Sequence, residues 1–412
     1  MTTVMSTTQT TSSEVEDNPD VTVGSPKYDP VVAAGSLQQL LRRHREDGDR
    51  RRRLTGEVVA GLVDAGQFRT QVSRRYGGLE CDASTVLEAT AEVSKGDASA
   101  GWLVMILSCA DWLVGVFPDR AQEDVYRDGP DTRVCAVLSP QGRSRPVAGG
   151  WLVDGRWMPS SGCMEAQWAT LGTMVAIGPG EPEQQVLALV PMTDLAVEDT
   201  WHTIGMRATA SNTLTGSGVF VPAHRILPLG PAIEGSHPGT NPGSLFRSGL
   251  VPLFVTHMMA PYLGMAQAAL EHVLDTAPSR PVTFTNYARK VDSTAFQLAI
   301  ANAATRIDAA WALARHAAHT VDSYAARGVH PQHLERARIR GWTGHVVSEC
   351  RAAIDVLASA QGASTFSETG LLGSIVRDMH TASRHAIASP ESNAEIYGKA
   401  LLGVVPNISR LV

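Results

Sequence analysis

The chain has 412 residues, 43 % hydrophobic and 18 % charged, which excludes a disordered protein and is long enough for two or three domains. A formal net charge of −6 gives no support to nucleic-acid binding. Cys81, Cys109, Cys135, Cys163 and Cys350 show neither metal-ligand spacing nor a paired framework. With no basic-then-apolar leader and no apolar run of about 20 residues, the expectation is a cytoplasmic protein without a membrane span.

In chain order, residues 1–28 are rich in Thr, Ser, Val and Asp without periodicity and read as a disordered tail. Residues 29–130 read as a helical domain. Leu37, Leu40 and Leu41 share a face within Val31 to Arg45, and Leu54, Val58, Leu62 and Val63 form a second stripe that Gly66 stops. Between them Arg50 to Arg53 reads as a solvated helix start, or as a phosphate or partner contact. Tyr76-Gly77-Gly78 marks a turn. Ser84 to Val93 reads as helix, and Asp97 as the N-cap of the next, whose run Gly101 to Leu107 is apolar on every face. That helix belongs in the centre of a bundle or in a pocket wall. Arg120 to Tyr126 follows Pro118, and Gly129-Pro130 closes the helical part.

Residues 131–230 read as an all-β domain. Apolar residues alternate with turn residues from Gly149 to Gly162, which suggests two short strands joined at Asp154-Gly155. Trp168 to Ile177, Gln185 to Pro191 and Thr213 to Phe220 are further strands, the last stopped by Val221-Pro222. Ser160-Ser161-Gly162 after Trp157 is either an ordinary turn or a place to hold a flat polar heterocycle. A second cluster, Trp201 to Asn212, sets Arg207 among small and hydroxylated residues.

Residues 231–412 read as helical again. Phe254, Met258 and Tyr262 share a face, and Gly264 to Leu274 continues the element; Pro278 to Pro281 breaks it. A long helix follows from Tyr287 to Gly328, then another from Leu334 to Ala360, in which His345 has a structural role, with a turn at Gln361-Gly362-Ala363-Ser364. The last informative helix is Leu371 to Ala386. It carries Met379 and sets His380 and His385 five residues apart, which does not stack two ligands on one face, so no metal site is expected. Either imidazole can serve as an acid or base near neutral pH.

Arg75-Tyr76-Gly77-Gly78, Gly101-Trp102, Trp157 to Gly162, Gly205-Met206-Arg207 through Ser211, Phe220-Val221-Pro222, and Arg377-Asp378 with His385 occur together in one order. The set resembles the acyl-CoA dehydrogenase superfamily, and within it the two-component flavin-dependent monooxygenase branch. The resemblance implies a mainly α fold with a central β-barrel domain between an N-terminal helical domain and a C-terminal four-helix bundle, assembled as a homotetramer or a dimer. It implies reduced FMN or FAD from a separate NAD(P)H flavin reductase, and O2, with a small aromatic or natural-product substrate hydroxylated through a C4a-(hydro)peroxyflavin. His385 would orient that peroxide or take a proton from the substrate. Ser160 or Ser161 would contact the flavin, and Trp157 would border its ring. Arg280 and Phe284 would hold flavin phosphate from a neighbouring subunit, although Thr285 stands where a glycine is expected, and Gln361, Gly362 and Ala363 would meet the cofactor tail. Trp102, Met105, Asp111, Arg207, Met379 and His380 are the expected substrate pocket. Two departures bear on chemistry. Where relatives often carry a histidine two residues before the tryptophan matching Trp112, this chain has Ala110; Asp111 beside it either meets the substrate or caps a helix. The dehydrogenase Tyr-Glu-Gly-Thr segment is missing after Arg377-Asp378, leaving only Glu391 and Glu395 as bases for that branch. N-oxygenation of an amine or amino sugar, acyl-CoA dehydrogenation and a flavin-free oligomeric scaffold are the competing readings.

Overall fold

In a computed structural model of the protein, residues 28–176 and 182–412 are described. The expected tail falls outside them except for Tyr28. Six helices come first: α1 (Pro30–Ser36), α2 (Gln38–Arg51), α3 (Gly56–Asp64), α4 (Ala83–Gly96), α5 (Ala98–Val116) and α6 (Asp119–Tyr126). The stripe expected from Val31 to Arg45 is two helices, kinked at Leu37, and the arginine run is a helix end. Arg52 adopts a left-handed conformation that stops α2. Its guanidinium forks onto both oxygens of Asp199 at 2.6 Å, and Arg53 bonds Glu165 at 2.7 Å. The basic run therefore pins the helices to the β region.

Asp97 caps α5 as its sequence position predicts, accepting from the Ala100 N–H at 2.8 Å. All 19 residues of α5 are buried. It is long and apolar enough to cross a membrane, but every residue packs inside the protein. Close approach of α4 makes Gly101 necessary: a Cβ there would lie 1.8 Å from Ser94 Oγ.

Seven strands follow: β1 (Val134–Val147), β2 (Gly150–Trp157), β3 (Trp168–Val175), β4 (Gln184–Pro191), β5 (Ala196–Glu198), β6 (Thr213–Pro222) and β7 (Ile226–Pro228). They form one sheet in the order β5-β6-β2-β1-β3-β4-β7. The expected β-barrel is not there. A barrel closes only when its first and last strands pair, and here the edge strands β5 and β7 are three residues each and pair with β6 and β4 alone. The sheet is also mixed, because β1 and β3 run parallel while the other neighbours are antiparallel. Helices cover what closure would have hidden: Val186, Ala188 and Val190 of β4 face the sheet's own core around Trp157, whereas Leu187 and Leu189 join the helical core. A strand buried on both faces reads as a continuous apolar run, and Val186 to Val190 is one.

The turn expected at Asp154-Gly155 is instead part of β2. The chain reverses at Ala148-Gly149, where Gly149 has φ +82°. Asp154 is polar because its carboxylate receives the Gly218 N–H at 2.7 Å and the Ser217 hydroxyl at 3.2 Å across the sheet.

The remaining helices are α7 (Leu229–Ile233), α8 (Leu250–His257), α9 (Met259–Thr276), α10 (Thr294–Arg327), α11 (His333–Gln361), α12 (Leu371–Ala382) and α13 (Pro390–Leu401). Pro261 is tolerated in the first turn of α9, where its missing N–H costs no helical bond. The long helix begins at Thr294 rather than Tyr287, because Ser293 caps it by accepting from the Phe296 N–H. The last predicted helix ends at Ala382, which leaves His385 in the turn between α12 and α13.

Candidate active site

The sheet, α5, α8 and the α12–α13 turn enclose a cavity of about 1340 Å³. Drug-sized ligand sites occupy roughly 300–1,000 Å³, so the space holds a large planar ring and a second small molecule together. Trp102, Ile106, Cys109 and Leu113 come from successive turns of α5, and Leu250 and Phe254 from α8. This apolar wall follows from the all-round hydrophobicity of α5, which cannot bury every face against helices alone.

His385 lines the cavity. Its ring packs against Trp102 with centroids 5.6 Å apart at 64°. Nδ1 accepts the Ile387 N–H at 3.3 Å, so the proton of the neutral ring resides on Nε2. The ring opens on the cavity but is shielded from bulk water; that burial, with the Arg340 cation, pulls its pKa down to about 4. At neutral pH the His385 ring is therefore uncharged, with its Nε2–H free to donate. His380 also lines the cavity and pairs with Asp355 at 3.1 Å.

Beside the same Trp102 ring, polar groups interrupt the apolar surface. Ser161 Oγ receives the Trp102 indole N–H at 3.2 Å and lies 2.8 Å from Ser211 Oγ, which lies 2.7 Å from Thr209 Oγ1. All four residues line the cavity. Ser160 does not: its hydroxyl is fully buried and donates to the Trp157 carbonyl at 2.9 Å. Trp157 itself is inside the sheet core, its indole N–H donating to the Gly172 carbonyl at 2.8 Å. The pair thus stands behind the loop that presents Ser161.

Other expected residues are placed elsewhere. Met105 and Met379 are fully buried and are not on the cavity surface. Arg207 is engaged by the Asp49 carbonyl at 3.0 Å and the Thr203 carbonyl at 2.8 Å, tying α2 to the loop before β6. Asp111 is in the middle of α5, so it caps nothing, and it is not on the cavity. Its Oδ1 receives the Tyr126 hydroxyl at 3.2 Å, and burial holds its carboxyl well above the usual range, disfavouring the charged form. Arg280, Phe284, Gln361, Gly362 and Ala363 gather at the C-terminal ends of α9 and α11, away from their own chain's cavity wall. Arg280 donates to Ser364 at 3.3 Å, and Lys290 fastens the Gln361 carbonyl at 2.7 Å. Phe284 is fully exposed with φ +59°.

Several wall residues carried no usable signal in the sequence. Leu229, Ile233, Arg410 and Leu411 reach the cavity from segments distant in the chain. Ser211 and Thr209 were visible as hydroxyls near Arg207, and only the fold aligns them behind Ser161. Glu391 and Glu395, the alternative bases, are exposed on α13 and do not line the cavity. Among the described residues no group of three or more His, Cys, Asp or Glu can hold a metal.

A flavin ring fits these residues. Its flat apolar body needs a dry slot beside aromatic and aliphatic walls, and its polar rim needs hydroxyl and N–H partners; Trp102, Ile106 and Leu113 supply the first and Ser161 with His385 the second.

Comparison with known proteins agrees. Residues 256–390 match the family described as "Acyl-CoA dehydrogenase, C-terminal domain". The chain is 33 % identical over 381 residues to the flavin-dependent monooxygenase oxygenase subunit HsaA of Mycobacterium tuberculosis, covering 91 % of this chain and 96 % of that protein. It is 28 % identical to the oxygenase component of an FADH2-dependent resorcinol hydroxylase from a Rhizobium species, covering 91 % and 94 %. The structure of XiaF from a Streptomyces species with FADH2 and glycerol superposes with a TM-score of 0.86 at 31 % identity, covering 92 % of this chain and 96 % of that one. The chain belongs to the oxygenase components of the two-component flavin-dependent monooxygenases, which have the acyl-CoA dehydrogenase-like fold and use reduced flavin from a separate reductase with O2.

Proposed function

We propose that this oxygenase hydroxylates a ring carbon of a small aromatic natural product, with Ser161 and His385 facing the reactive edge of the flavin. The observation that carries the reading is a neutral imidazole and a hydroxyl, both against Trp102, in one apolar cavity whose lining carboxylates among the described residues, Glu183 and Glu234, are exposed. Proton abstraction from an acyl thioester needs a buried carboxylate, and none faces the cavity. Bound reduced flavin supplies the two electrons that activate O2, one oxygen atom entering the substrate and the other leaving as water.

The chain's own residues do the rest. Trp102, Ile106, Leu113, Leu250 and Phe254 exclude water, which protects the oxidant from breaking down to H2O2. Ser161 accepts a hydrogen bond from the cofactor, and His385 Nε2–H donates to oxygen or to a substrate hydroxyl. Trp157 and Ser160 support the Ser161 loop from behind. His380, with its Asp355 partner, would meet the substrate. Arg280, Phe284, Gln361, Gly362 and Ala363 would serve the cofactor tail of a second copy in a homotetramer, because none of them lines the cavity of its own chain. The FADH2 in XiaF and in the name of the Rhizobium enzyme favours FAD over FMN, and that enzyme's named hydroxylase activity favours carbon hydroxylation over N-oxygenation. We assign the protein to the cytoplasm, where NAD(P)H reductases supply reduced flavin.

The test is oxygen insertion. Protein, an NAD(P)H flavin reductase, FAD and a panel of phenols are incubated under 18O2, and products are read by mass. Incorporation of one labelled atom into a ring is expected. Unlabelled products, or bleaching of bound oxidised flavin by an acyl-CoA, would overturn the reading.

A further inference from the structure

The hydroxyls behind Ser161 form a chain whose two ends admit one direction only. At one end the Trp102 indole can only donate, and it donates to Ser161 Oγ at 3.2 Å. At the other end the Met206 carbonyl can only accept, and Thr209 Oγ1 donates to it at 2.8 Å. That carbonyl is held firmly: the Trp201 indole also donates to it at 2.9 Å, and the Met206 N–H is taken by Asp378. A hydroxyl has one proton. Thr209 has spent its proton on Met206, so Ser211 must donate across the 2.7 Å contact to Thr209. Ser211 has then spent its own, so Ser161 must donate across the 2.8 Å contact to Ser211. Ser161 is left with no proton to offer. Having accepted from Trp102, it presents one remaining lone pair to the cavity.

We propose that Ser211 and Thr209 are positioning residues that hold Ser161 as a pure acceptor and so make the site select reduced over oxidised flavin. The inference rests on the reading that Ser161 meets the flavin's N5 edge. Reduced flavin carries a hydrogen on N5 and donates to a lone pair there. Oxidised flavin has a bare N5 and would set lone pair against lone pair, leaving a buried acceptor unsatisfied. Release of spent cofactor and capture of fresh cofactor then follow from the direction of a hydroxyl chain rather than from any movement of the protein.

The test compares dissociation constants of oxidised FAD and, anaerobically, of reduced FAD, read by quenching of tryptophan fluorescence, for the full chain and its variants. In Ser211→Ala the Ser161 hydroxyl loses its acceptor and turns its proton to the cavity, so the oxidised-to-reduced ratio of dissociation constants falls about tenfold, the size of one hydrogen bond made or mismatched. Thr209→Val, an isosteric change, frees Ser211 to reverse and lowers the ratio in the same direction. Ser211→Thr, which keeps the hydroxyl, restores it. Native ratios in both Ser211→Ala and Thr209→Val overturn the proposal; should Ser211→Ala lose its thermal transition, Thr209→Val alone decides it. Ser161→Ala separates the two levels of the argument: if it leaves both affinities unchanged, Ser161 does not meet the flavin, and the assignment under the proposed function fails together with this one.

Discussion

Replacing His385 by Ala, Asn and Gln separates the two things its ring does. One is structural: Nδ1 accepts the Ile387 N–H at 3.3 Å, and the ring edge meets Trp102 at 5.6 Å. The hydrogen bond is long and sits at the weak end of about 0.5–1.5 kcal/mol, and the aromatic contact is worth a similar ~0.5–1.5 kcal/mol. His385→Ala should therefore lose about 1–2 kcal/mol of stability, since the ring borders an existing cavity and leaves little new void. The other role is the Nε2–H offered to the cavity. A single preorganised donor in a dry site is worth about 10²-fold in rate, and its loss should appear mostly as uncoupling, with reductant consumed as H2O2. Asn can keep the Ile387 contact but not reach the cavity position; Gln reaches that position with an amide N–H. The expected order of product formed per NAD(P)H is native, then Gln, then Asn and Ala together, with Asn the more stable of those two. Product and H2O2 are measured side by side with the reductase in excess. Because burial and Arg340 hold the ring at about 4, the coupling of the native enzyme should show no limb between pH 6 and 8. Asn equal to Gln, or a rise in coupling with a midpoint near the ordinary histidine value, would refute the donor assignment.

Ser161→Ala should reduce flavin affinity and coupling at small cost in stability, whereas Ser160→Ala, which removes the bond to the Trp157 carbonyl, should lower stability by about 1 kcal/mol and leave coupling alone; the reverse pattern in paired melts and coupling assays would exchange their roles. Asp111→Asn should stay within about 1 kcal/mol of native and keep its turnover, because burial already disfavours that carboxyl's charged form; a large loss of turnover would bring it back as a substrate contact. Gly101→Ala forces a Cβ against Ser94 at 1.8 Å and should cost at least about 1–3 kcal/mol, seen as a lowered thermal midpoint. His385 and His257, held at about 4 and about 3 by burial, stay neutral in the folded state while the unfolded chain takes up protons below about 6.5, so their share of stability is intact above that pH and is lost as pH falls. Asp378, raised to about 7 by burial, acts oppositely, losing stability as pH rises from 4 to 7. Because histidines and buried carboxyls act with opposite sign, the single variant isolates the share of one group: between pH 6.5 and 4.5 the urea midpoint of His257→Asn should fall less, or rise more, than that of the native protein, and an identical pH dependence would contradict the assignment.

Local chemistry that acts within a few residues was legible in the sequence. Asp97 announces a helix because its carboxylate reaches an N–H three residues on, and Gly328 ends one because its φ of +64° suits no other residue as well. What failed was chemistry that acts across the fold. Asp154-Gly155 has turn composition, yet Asp154 is polar in order to receive N–H and hydroxyl groups from residues 217 and 218, some sixty positions away. Val134 to Val147 hides as a strand because Gln141 to Arg145 carries no apolar side chain: Arg143 and Arg145 are exposed, and the inward position is Gly142. The barrel was an inference from relatives' shape; sheet closure depends on which strands reach the edges, and edges as short as Ala196–Glu198 leave almost no periodic signal.

The same division holds at the cavity. Trp102, Ser161, His380 and His385 were named from the chain and meet on one surface, because each lies in a motif whose backbone conformation is local. Trp157 and Ser160 sit one layer behind Ser161: Trp157 points into the sheet core, Met158 and Pro159 after it reach the cavity, and the Ser160 hydroxyl turns back to the Trp157 carbonyl while Ser161 faces the cavity. Leu229, Leu250 and Leu411 could not be read at all, since an apolar residue facing a cavity and one facing the core have the same composition and the same spacing. The direction of the hydroxyl chain is one level further removed. It depends on no single residue type but on an indole at one end and a carbonyl at the other, 104 positions apart between Trp102 and Met206, and only their assembly turns two ordinary serines and a threonine into a device with a sense.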